Sequence, residues 1–288
     1  MRLAKETALI VWDEEQKVEH FVRRAEFDGK AKDFGFILPV PSQPFAIEVA
    51  DPDLFAWLDM HKPRGIGCGC SGADAASDRA AGGVEVLEEK KVGDYEVTVL
   101  RATEGQALNN WLAKRGHKVR PAMTPWFEHY TKQRWIFVAF KYAGKMGPTP
   151  TKAVRVSFMA EQPHYPYKMP ADTWEPGHFR PLDLFVIAKS EVRGKQLNGQ
   201  TWKARTEWST DVDYPGTLAE QLGGKSGSVD LPTGLVLTRF ANTHEANNYE
   251  FDLTFEPAPN RTPFAAGATT AVIVALWWSR RRRRTTPI

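Results

Sequence analysis

The feature that most constrains this chain is an uncharged run near its last residues. Between Arg261 and Arg280 no residue is charged, and the stretch 264–278 is almost wholly apolar or small. A helix over residues 262–279, with a rise of about 1.5 Å per residue, would be roughly 27 Å long, close to the hydrocarbon thickness of a bilayer. The sequence therefore predicts one transmembrane helix at residues 262–279. A buried helix or an extended basic tail is the alternative interpretation.

The residues that flank this run predict its orientation. Trp277 and Trp278 stand where indole rings prefer to lie, at the membrane interface, and a block of arginines follows them directly. Basic blocks of this kind stay on the cytoplasmic side, so we expect residues 280–288 to form a cytoplasmic tail and residues 1–261 to form an outward-facing globular domain. The predicted membrane anchor comprises Trp277, Trp278, Arg280, Arg281, Arg282, Arg283 and Arg284.

The charge balance excludes a nucleic-acid-binding surface as the main function. The formal net charge is +3, and without the five arginines at 280–284 the chain has 33 basic against 35 acidic residues. Such a nearly neutral globular part lacks the positive surface that nucleic acids require. The predicted partners are the lipid bilayer and a peptide, polysaccharide or envelope protein, and no cofactor is predicted.

The first residues conflict with an outward-facing domain. The apolar run Ala8–Trp12 is too short for the apolar region of a signal peptide, and no small-residue cleavage site follows it. This run predicts the first strand instead. We therefore expect a secretion signal upstream of Met1; the alternative is a cytoplasmic domain with a tail that inserts after synthesis.

Strand patterns recur along the chain. The segments 8–12 and 18–27 are predicted to form a hairpin across residues 13–16. The segment 134–142 is apolar on both faces and predicts a central strand, with 154–158 as its antiparallel neighbour. The segment 249–256 alternates between apolar and polar residues, which predicts a half-buried strand.

Helices are fewer. Asp51 and Pro52 predict the start of one helix, whose apolar face would include Leu54, Phe55 and Leu58. A second helix is predicted from the capping-box spacing of Thr103 and Gln106 and should end at Gly116. Strands outnumber helices without regular alternation, so the predicted fold class is α+β, mainly antiparallel sheet with a few short helices.

The segment 65–83 is predicted to be a flexible excursion, because it is rich in glycine and alanine and has almost no large side chain. It contains both cysteines of the chain, Cys68 and Cys70. Two thiols are too few for a tetrahedral metal site, and a flexible loop offers a catalytic thiol no fixed base. We interpret them as loop thiols, with a reactive or intermolecular thiol as the alternative.

Several segments together resemble one bacterial family. The stretch 33–41 (DFGFILPVP) leads to a helix around 54–59, the glycine- and cysteine-rich excursion follows, and 92–100 and 107–112 continue the pattern. In these features the chain resembles the bacterial domain of unknown function 2330 family, most closely over residues 1–115. The resemblance implies a secreted or surface protein with a signal peptide and often a membrane segment followed by arginines. It implies no catalytic residue, since the family has no assigned activity.

Two other motifs are interpreted as structural. The GGKS sequence at 223–226 resembles the end of a phosphate-binding loop, but a helical pattern precedes it and a strand pattern follows, so a glycine-rich turn is predicted. His164 and His178, near Asp172 and Glu175, come closest to a metal cluster. The prolines around them place them on no common face, and no metal site is predicted.

The segment 163–181 is the best candidate for ligand binding. Its five prolines stiffen a loop that carries several aromatic rings, and rings that are ordered in advance lose little entropy on binding a peptide or a sugar face. The alternative is that the rings cover the sheet as a lid. The predicted ligand-binding residues are Tyr165, Tyr167, Trp174 and Phe179.

Together these patterns predict a membrane-anchored, outward-facing, non-enzymatic interaction or envelope-structural module. The alternative is a hydrolase-type enzyme whose active-site residues are dispersed along the chain. A deep pocket with convergent polar groups of shifted pKa would favour the enzyme, and an exposed aromatic patch would favour the binding module.

Overall fold

The computed structural model describes residues 2–28, 35–62, 84–144, 152–173, 182–224, 227–242 and 251–259. All but the last two of these residues belong to one compact unit, Met1–Pro257, and a second unit spans Ala258–Ile288. The segment 65–83, with Cys68 and Cys70, lies outside the described residues, so its predicted flexibility stays a prediction.

The described chain is a mixed α+β protein, as the sequence predicts. The strands are β1 Arg2–Asp13, β2 Val18–Asp28, β3 Gly35–Val40, β4 Ala46–Val49, β5 Val84–Val92, β6 Tyr95–Ala102, β7 Ile136–Tyr142, β8 Val154–Met159, β9 His164–Tyr165, β10 Leu182–Ala188, β11 Val192–Gln196, β12 Arg205–Asp211, β13 Val236–Asn242 and β14 Leu253–Pro257. The helices are α1 Leu54–Met60, α2 Gly105–Lys114, α3 Met123–Thr131 and α4 Pro215–Gly223, and a short 3-10 helix lies at Ala171–Thr173.

The described strands form three sheets. A seven-stranded sheet has the order β12-β13-β10-β1-β2-β8-β4, a four-stranded sheet the order β3-β7-β6-β5, and a three-stranded sheet the order β11-β14-β9. The pairing is antiparallel throughout these sheets except between β1 and β10, which run parallel. The predicted antiparallel character is therefore confirmed.

Alternating side chains give the seven- and four-stranded sheets two buried faces each. In β1, Ala8 and Ile10 point into the core shared with the four- and three-stranded sheets, whereas Leu9 and Val11 point into a second core with α1 and α4. The helices α2 and α3 cover the outer face of the four-stranded sheet and form a third core. Strands that are covered on both faces must be apolar on both, which explains the continuous apolar runs.

The predicted hairpin between the first two strands is confirmed. β1 and β2 pair in antiparallel register from Arg2 opposite Asp28 to Asp13 opposite Val18. The Asp13 carboxylate accepts the backbone N–H groups of Glu15 and Gln16, each at 2.9 Å, and this stabilises the turn.

The central position of β7 is confirmed, but its predicted neighbour is wrong. β7 lies between β3 and β6, and residues 136–140 are all buried. β8 pairs instead with β2 and β4 in the other sheet. Proximity along the chain favours a hairpin, but here both edges of β7 are taken by strands from distant parts of the sequence.

The strand predicted near residue 250 is present as β14, but it is more deeply buried than predicted. β14 is the middle strand of its sheet, and both Thr254 and the preceding Asp252 are buried, at 8% and 1% exposure. Thr254 donates to the Pro163 carbonyl at 2.9 Å, and Asp252 accepts two hydrogen bonds from other segments. Asp252 and Thr254 therefore face a polar interior, while Glu256 on the same side of the strand remains 35% exposed.

The two predicted helices are present. In α1 the apolar face of Leu54, Phe55 and Leu58 is buried. α2 ends before Gly116, whose φ of +77° is the left-handed conformation that favours glycine.

The predicted capping box of α2 is not formed. The N-terminus of α2 is capped from outside the helix, because the Gly105 N–H donates to the Glu128 carboxylate of α3 at 2.8 Å. A side chain at Gly105 would clash with the Thr124 carbonyl and the Glu128 backbone, so glycine permits this close approach of the two helices.

Within the described ranges, no helix is long and apolar enough to cross a membrane. The predicted span, 262–279, lies outside these ranges.

Candidate functional site

The four predicted ligand-binding residues are not assembled into one described surface. Tyr165 and Tyr167 are buried, with 1% and 6% exposure. Trp174 and Phe179 lie outside the described residues, as do the predicted anchor residues 277–284. The two tyrosines match the alternative in which the rings cover the sheet, while ligand binding through the whole set stays a prediction.

Tyr165 is buried because its strand, β9, belongs to the three-stranded sheet and its ring lies in the core that this sheet shares with the other two. Its hydroxyl donates to the Glu6 carboxylate at 2.8 Å, and Glu6 also accepts from the Arg23 guanidinium at 2.8 Å. The Tyr165 ring packs against Phe21 at 5.9 Å between centroids. A buried phenol needs such a polar partner, and Glu6 on a distant strand provides it.

A serine and a histidine lie together in the interior. His20 Nδ1 is 2.8 Å from Ser157 Oγ, on the neighbouring strands β2 and β8. Arg155 donates to the same hydroxyl and also to the Leu222 carbonyl and Glu48. Burial, then the charge of Arg155, lowers the pKa of His20 to about 4. Ser157 has 0% exposure, so this arrangement has the contacts of a structural network, whereas a nucleophile must be reachable by its substrate.

A second polar cluster joins β2, α3, β9 and β14. The backbone N–H of His164 donates to the Glu19 carboxylate at 2.7 Å, and the Tyr130 hydroxyl donates to the Asp252 carboxylate at 2.9 Å. The imidazole Nε2 of His164 and the second Asp252 oxygen are 3.8 Å apart, beyond hydrogen-bonding distance. All four side chains are buried.

Burial sets the proton affinities in this cluster. It raises the pKa of Glu19 well above its usual value, against the lowering effect of the hydrogen bond from His164. It raises the pKa of Asp252 to about 6 and lowers that of His164 to about 3. The low dielectric of the interior disfavours every charged form, so a neutral imidazole lies beside two carboxyl groups that bind protons readily.

Within the described ranges, the two other sequence motifs, the possible metal cluster around His164 and Asp172 and the GGKS turn, lack the arrangement of a binding site. Asp172 forms a bidentate ion pair with Arg120, at 2.6 and 2.7 Å, and is thereby removed from any site with His164. In the described ranges no group of three or more His, Cys, Asp or Glu side chains could hold a metal ion. α4 precedes the Gly223-Gly224 turn and β13 follows it, the reverse of a phosphate-binding loop.

A polar surface pocket lies where α2 ends over the four-stranded sheet. Its volume is about 50 Å³, and it is lined by Glu89, Lys90, Glu96, Val97, Thr98, Arg115, His117 and Lys141. The short helix leaves the ends of β5, β6 and β7 uncovered, and the face continues there with charged side chains. Burial, followed by the charges of Lys141 and Arg115, lowers the pKa of His117 to about 4. The imidazole is therefore neutral at physiological pH.

Two cations of the pocket, Arg115 and Lys141, differ in their contacts with protein groups. Arg115 forms an ion pair with Glu89 at 3.2 Å and lies over the Trp111 ring, 5.0 Å from its centroid. Lys141 donates to the Arg115 carbonyl at 3.3 Å, and its nearest Glu96 oxygen is 3.9 Å away. Sequence reasoning missed this pocket, because its residues come from four separate segments and no motif links them.

Exposed apolar side chains mark another part of the surface. Phe45 and Met159 have 59% and 47% exposure, and both lie beside the edge strand β4. The Phe45 N–H donates to the Ser157 carbonyl, and Ser42 donates to the Met159 carbonyl, so the two segments adjoin. Both side chains are therefore accessible to solvent.

Fold and sites together define a layered α+β protein with a buried polar interior and a small charged surface pocket. The chain belongs to the bacterial domain of unknown function 2330 family, described as an uncharacterized protein conserved in bacteria, whose sequence model matches residues 1–230. The predicted family resemblance is thereby confirmed. A search of curated proteins finds no match.

One similar solved structure is the crystal structure of baculovirus P35. It shares 8% sequence identity, and the alignment covers 88% of this chain and 93% of that chain with a TM-score of 0.42. A similarity of this degree carries no argument about function.

Proposed function

We propose that the protein is a membrane-anchored, outward-facing interaction or envelope-structural module without enzymatic activity. The observation that carries the proposal is the uncharged run 262–279, which ends in Trp277 and Trp278 and is followed directly by five arginines. An apolar run of this length, an aromatic interface pair and a basic block are the three signals of a single membrane span with its basic end in the cytoplasm.

The basic block at 280–284 strongly disfavours transfer of the C-terminal residues across a bilayer. Placing one arginine at the centre of a membrane helix costs about 2.5–3.5 kcal/mol on insertion scales, and the positive-inside bias acts in the same direction. Moving five arginines across the bilayer is therefore strongly disfavoured. The globular residues 1–261 then lie outside, which requires a secretion signal in the full gene.

The buried polar groups support a binding role over a catalytic one. Ser157 with His20, and Asp252 with His164, have the residue types of a hydrolase, but all four side chains are buried; His20 and Ser157 contact each other, and Asp252 accepts from the Tyr130 hydroxyl of α3. The exposed pair of Phe45 and Met159 is instead accessible to a partner. The alternative, a hydrolase with dispersed residues, would need an opening that exposes Ser157.

The first prediction tests the orientation. The full-length gene is expressed with an epitope tag after Ile288, and protease is added to intact cells, or to spheroplasts where an outer membrane is present. We expect the globular domain to be digested and the tag to be protected. As a control, cells lysed with detergent should lose the tag as well. Protection of both parts in intact cells would place the domain in the cytoplasm and refute the proposed surface role.

The second prediction concerns ligand binding by the 163–181 segment. Trp174→Ala is expected to reduce retention on immobilised envelope polysaccharide while changing the melting temperature little. Tyr165→Ala is the matched control, because its buried ring should leave a cavity that destabilises the protein by about 3–5 kcal/mol. A Trp174→Ala protein as unstable as Tyr165→Ala would assign Trp174 to the core. Undiminished retention of a folded Trp174→Ala protein would also refute the binding role.

A further inference from the structure

The pocket at the end of α2 carries an inference that does not depend on the membrane anchor. It is concave, polar and built from β5, β6, β7 and the residues that follow α2. A pocket with several convergent polar side chains is the usual form of a small-ligand site. The chemistry of its side chains indicates the class of ligand.

Lys141 has donor capacity that its protein contacts do not use. Its ammonium group has three N–H donors, and among the described residues it makes one hydrogen bond, of 3.3 Å, to the Arg115 carbonyl. The nearest Glu96 oxygen, at 3.9 Å, is beyond hydrogen-bonding distance. The ammonium therefore lies close to a carboxylate without being bonded to it, which is a position that another anion can occupy.

His117 provides a second donor on the same pocket wall. Among the residues that the structure describes, its imidazole has no hydrogen-bond partner. Lys141 and Arg115 line the same pocket as this ring, so both cations lie close to an anion that the ring contacts. A neutral imidazole can donate one N–H to an anion placed there, and the cations raise the local positive potential.

The size of the pocket limits what can enter it. A volume of about 50 Å³ is a few times the roughly 10–15 Å³ that a cavity needs to hold one water molecule, so a compact polar group fits in it. Arg115, held by Glu89 at 3.2 Å and by the Trp111 ring, forms a fixed positive wall. A small anionic group fits this volume and this charge.

We propose that this pocket binds a single compact oxyanion group, a carboxylate or a phosphate. Lys141 and His117 donate to it, and Arg115 provides the positive wall. The group is either a free small anion or the anionic end of a larger molecule. Ammonium-to-oxyanion hydrogen bonds are charge-assisted and roughly twice as strong as neutral ones, so Lys141 dominates the affinity.

The experiment measures binding of inorganic phosphate and of acetate to the full chain in detergent, by thermal shift and by calorimetric titration at constant ionic strength. We expect saturable binding of at least one of these anions, and Lys141→Gln should weaken it by about tenfold or more. Lys132→Gln is the matched control, because Lys132 is an exposed lysine at the far end of α3 and should leave binding unchanged. The two anion arms distinguish a phosphate site from a carboxylate site.

A second variant protects the test against misfolding. His117→Ala removes a donor at the pocket rim without changing a charge, and should weaken the same anion while leaving the melting temperature without ligand nearly unchanged. Saturable binding lost in both pocket variants and kept in Lys132→Gln would support the site. Absence of saturable binding of either anion, or equal affinity in the wild type, Lys141→Gln and His117→Ala, would overturn it. These results are independent of the protease experiment on membrane orientation.

Discussion

Replacing Arg155 with methionine is expected to destabilise the protein by about 3 kcal/mol or more. The guanidinium is buried, at 4% exposure, and donates to the Leu222 carbonyl at 2.7 Å, to Ser157 and to Glu48 at 2.6 Å. Methionine fills a similar volume but donates nothing, so the Leu222 carbonyl and the Ser157 hydroxyl lose this donor in the interior, and the 29% exposed Glu48 loses its cation. Urea unfolding followed by tryptophan fluorescence measures the loss.

The matched control is Arg193→Met. Arg193 also pairs with a glutamate, Glu256, at 2.7 Å, but its side chain is 54% exposed. Water replaces the lost contact there, so the expected cost is within about 1 kcal/mol. Equal stability of the two variants would show that packing compensates for the buried guanidinium. In that case Arg155 would not stabilise the contact between β8 and α4, as its hydrogen bonds indicate that it does.

Unfolding free energy is expected to be highest near neutral pH and to fall as the pH falls from about 6.5 towards 4. His20 and His164 have pKa values of about 4 and about 3 in the folded protein, against 6.5 in an unfolded chain. Over this range the unfolded chain binds protons that the folded one excludes, and this favours unfolding. At about 1.4 kcal/mol per pKa unit, each histidine contributes a loss on the order of a few kcal/mol, and the two losses have the same sign.

Two buried carboxyl groups act in the opposite direction. Their pKa values in the folded protein are raised, to about 6 for Asp252, so the folded protein binds these protons before the unfolded chain does. Protonation of Asp252 therefore offsets part of the loss between about pH 6 and pH 4, and protonation of Glu19, whose pKa burial raises well above its usual value, acts in the same direction. The histidines should dominate, because His117 adds a third lowered pKa, of about 4.

Variants separate these contributions. The double variant His20→Gln, His164→Gln should lose much less stability between about pH 7 and pH 4.5 than the wild type, because neither position can then take up a proton. Asp252→Asn should lose more over the same interval, since it removes an opposing group. Chemical unfolding at several pH values tests both. A pH dependence unchanged by the double variant would contradict the assignment of the acid loss to these histidines.

Local patterns were enough to predict the elements whose partners are near in sequence. The β1–β2 hairpin follows from two apolar runs and a turn at Asp13, and the apolar face of α1 follows from Leu54, Phe55 and Leu58. The central position of β7 follows from its continuous apolar run. These features depend on side-chain periodicity and on short-range hydrogen bonds, which the chain carries within about ten residues.

Partner choice and polar burial were decided only by the tertiary structure. β8 pairs with β2 and β4 and not with β7, and β1 lies parallel to β10 from a distant part of the chain. The alternating pattern around Asp252 predicts a carboxylate that faces solvent. In the structure this carboxylate is buried and accepts hydrogen bonds from the Tyr130 hydroxyl and the Lys168 backbone N–H. Whether a polar side chain faces water depends on groups that only folding brings near.

The candidate sites divide in the same way. The sequence by itself determined the family, from several motifs in their order along the chain, and the apolar run with its arginine block, from the composition of one segment. Only the tertiary structure decided that Tyr165 bonds to Glu6 in the core and that Arg115, His117 and Lys141 meet at one pocket. The physical reason is that a strand's apolar periodicity is local, whereas a site assembled from several strands depends on long-range pairing that no single segment encodes.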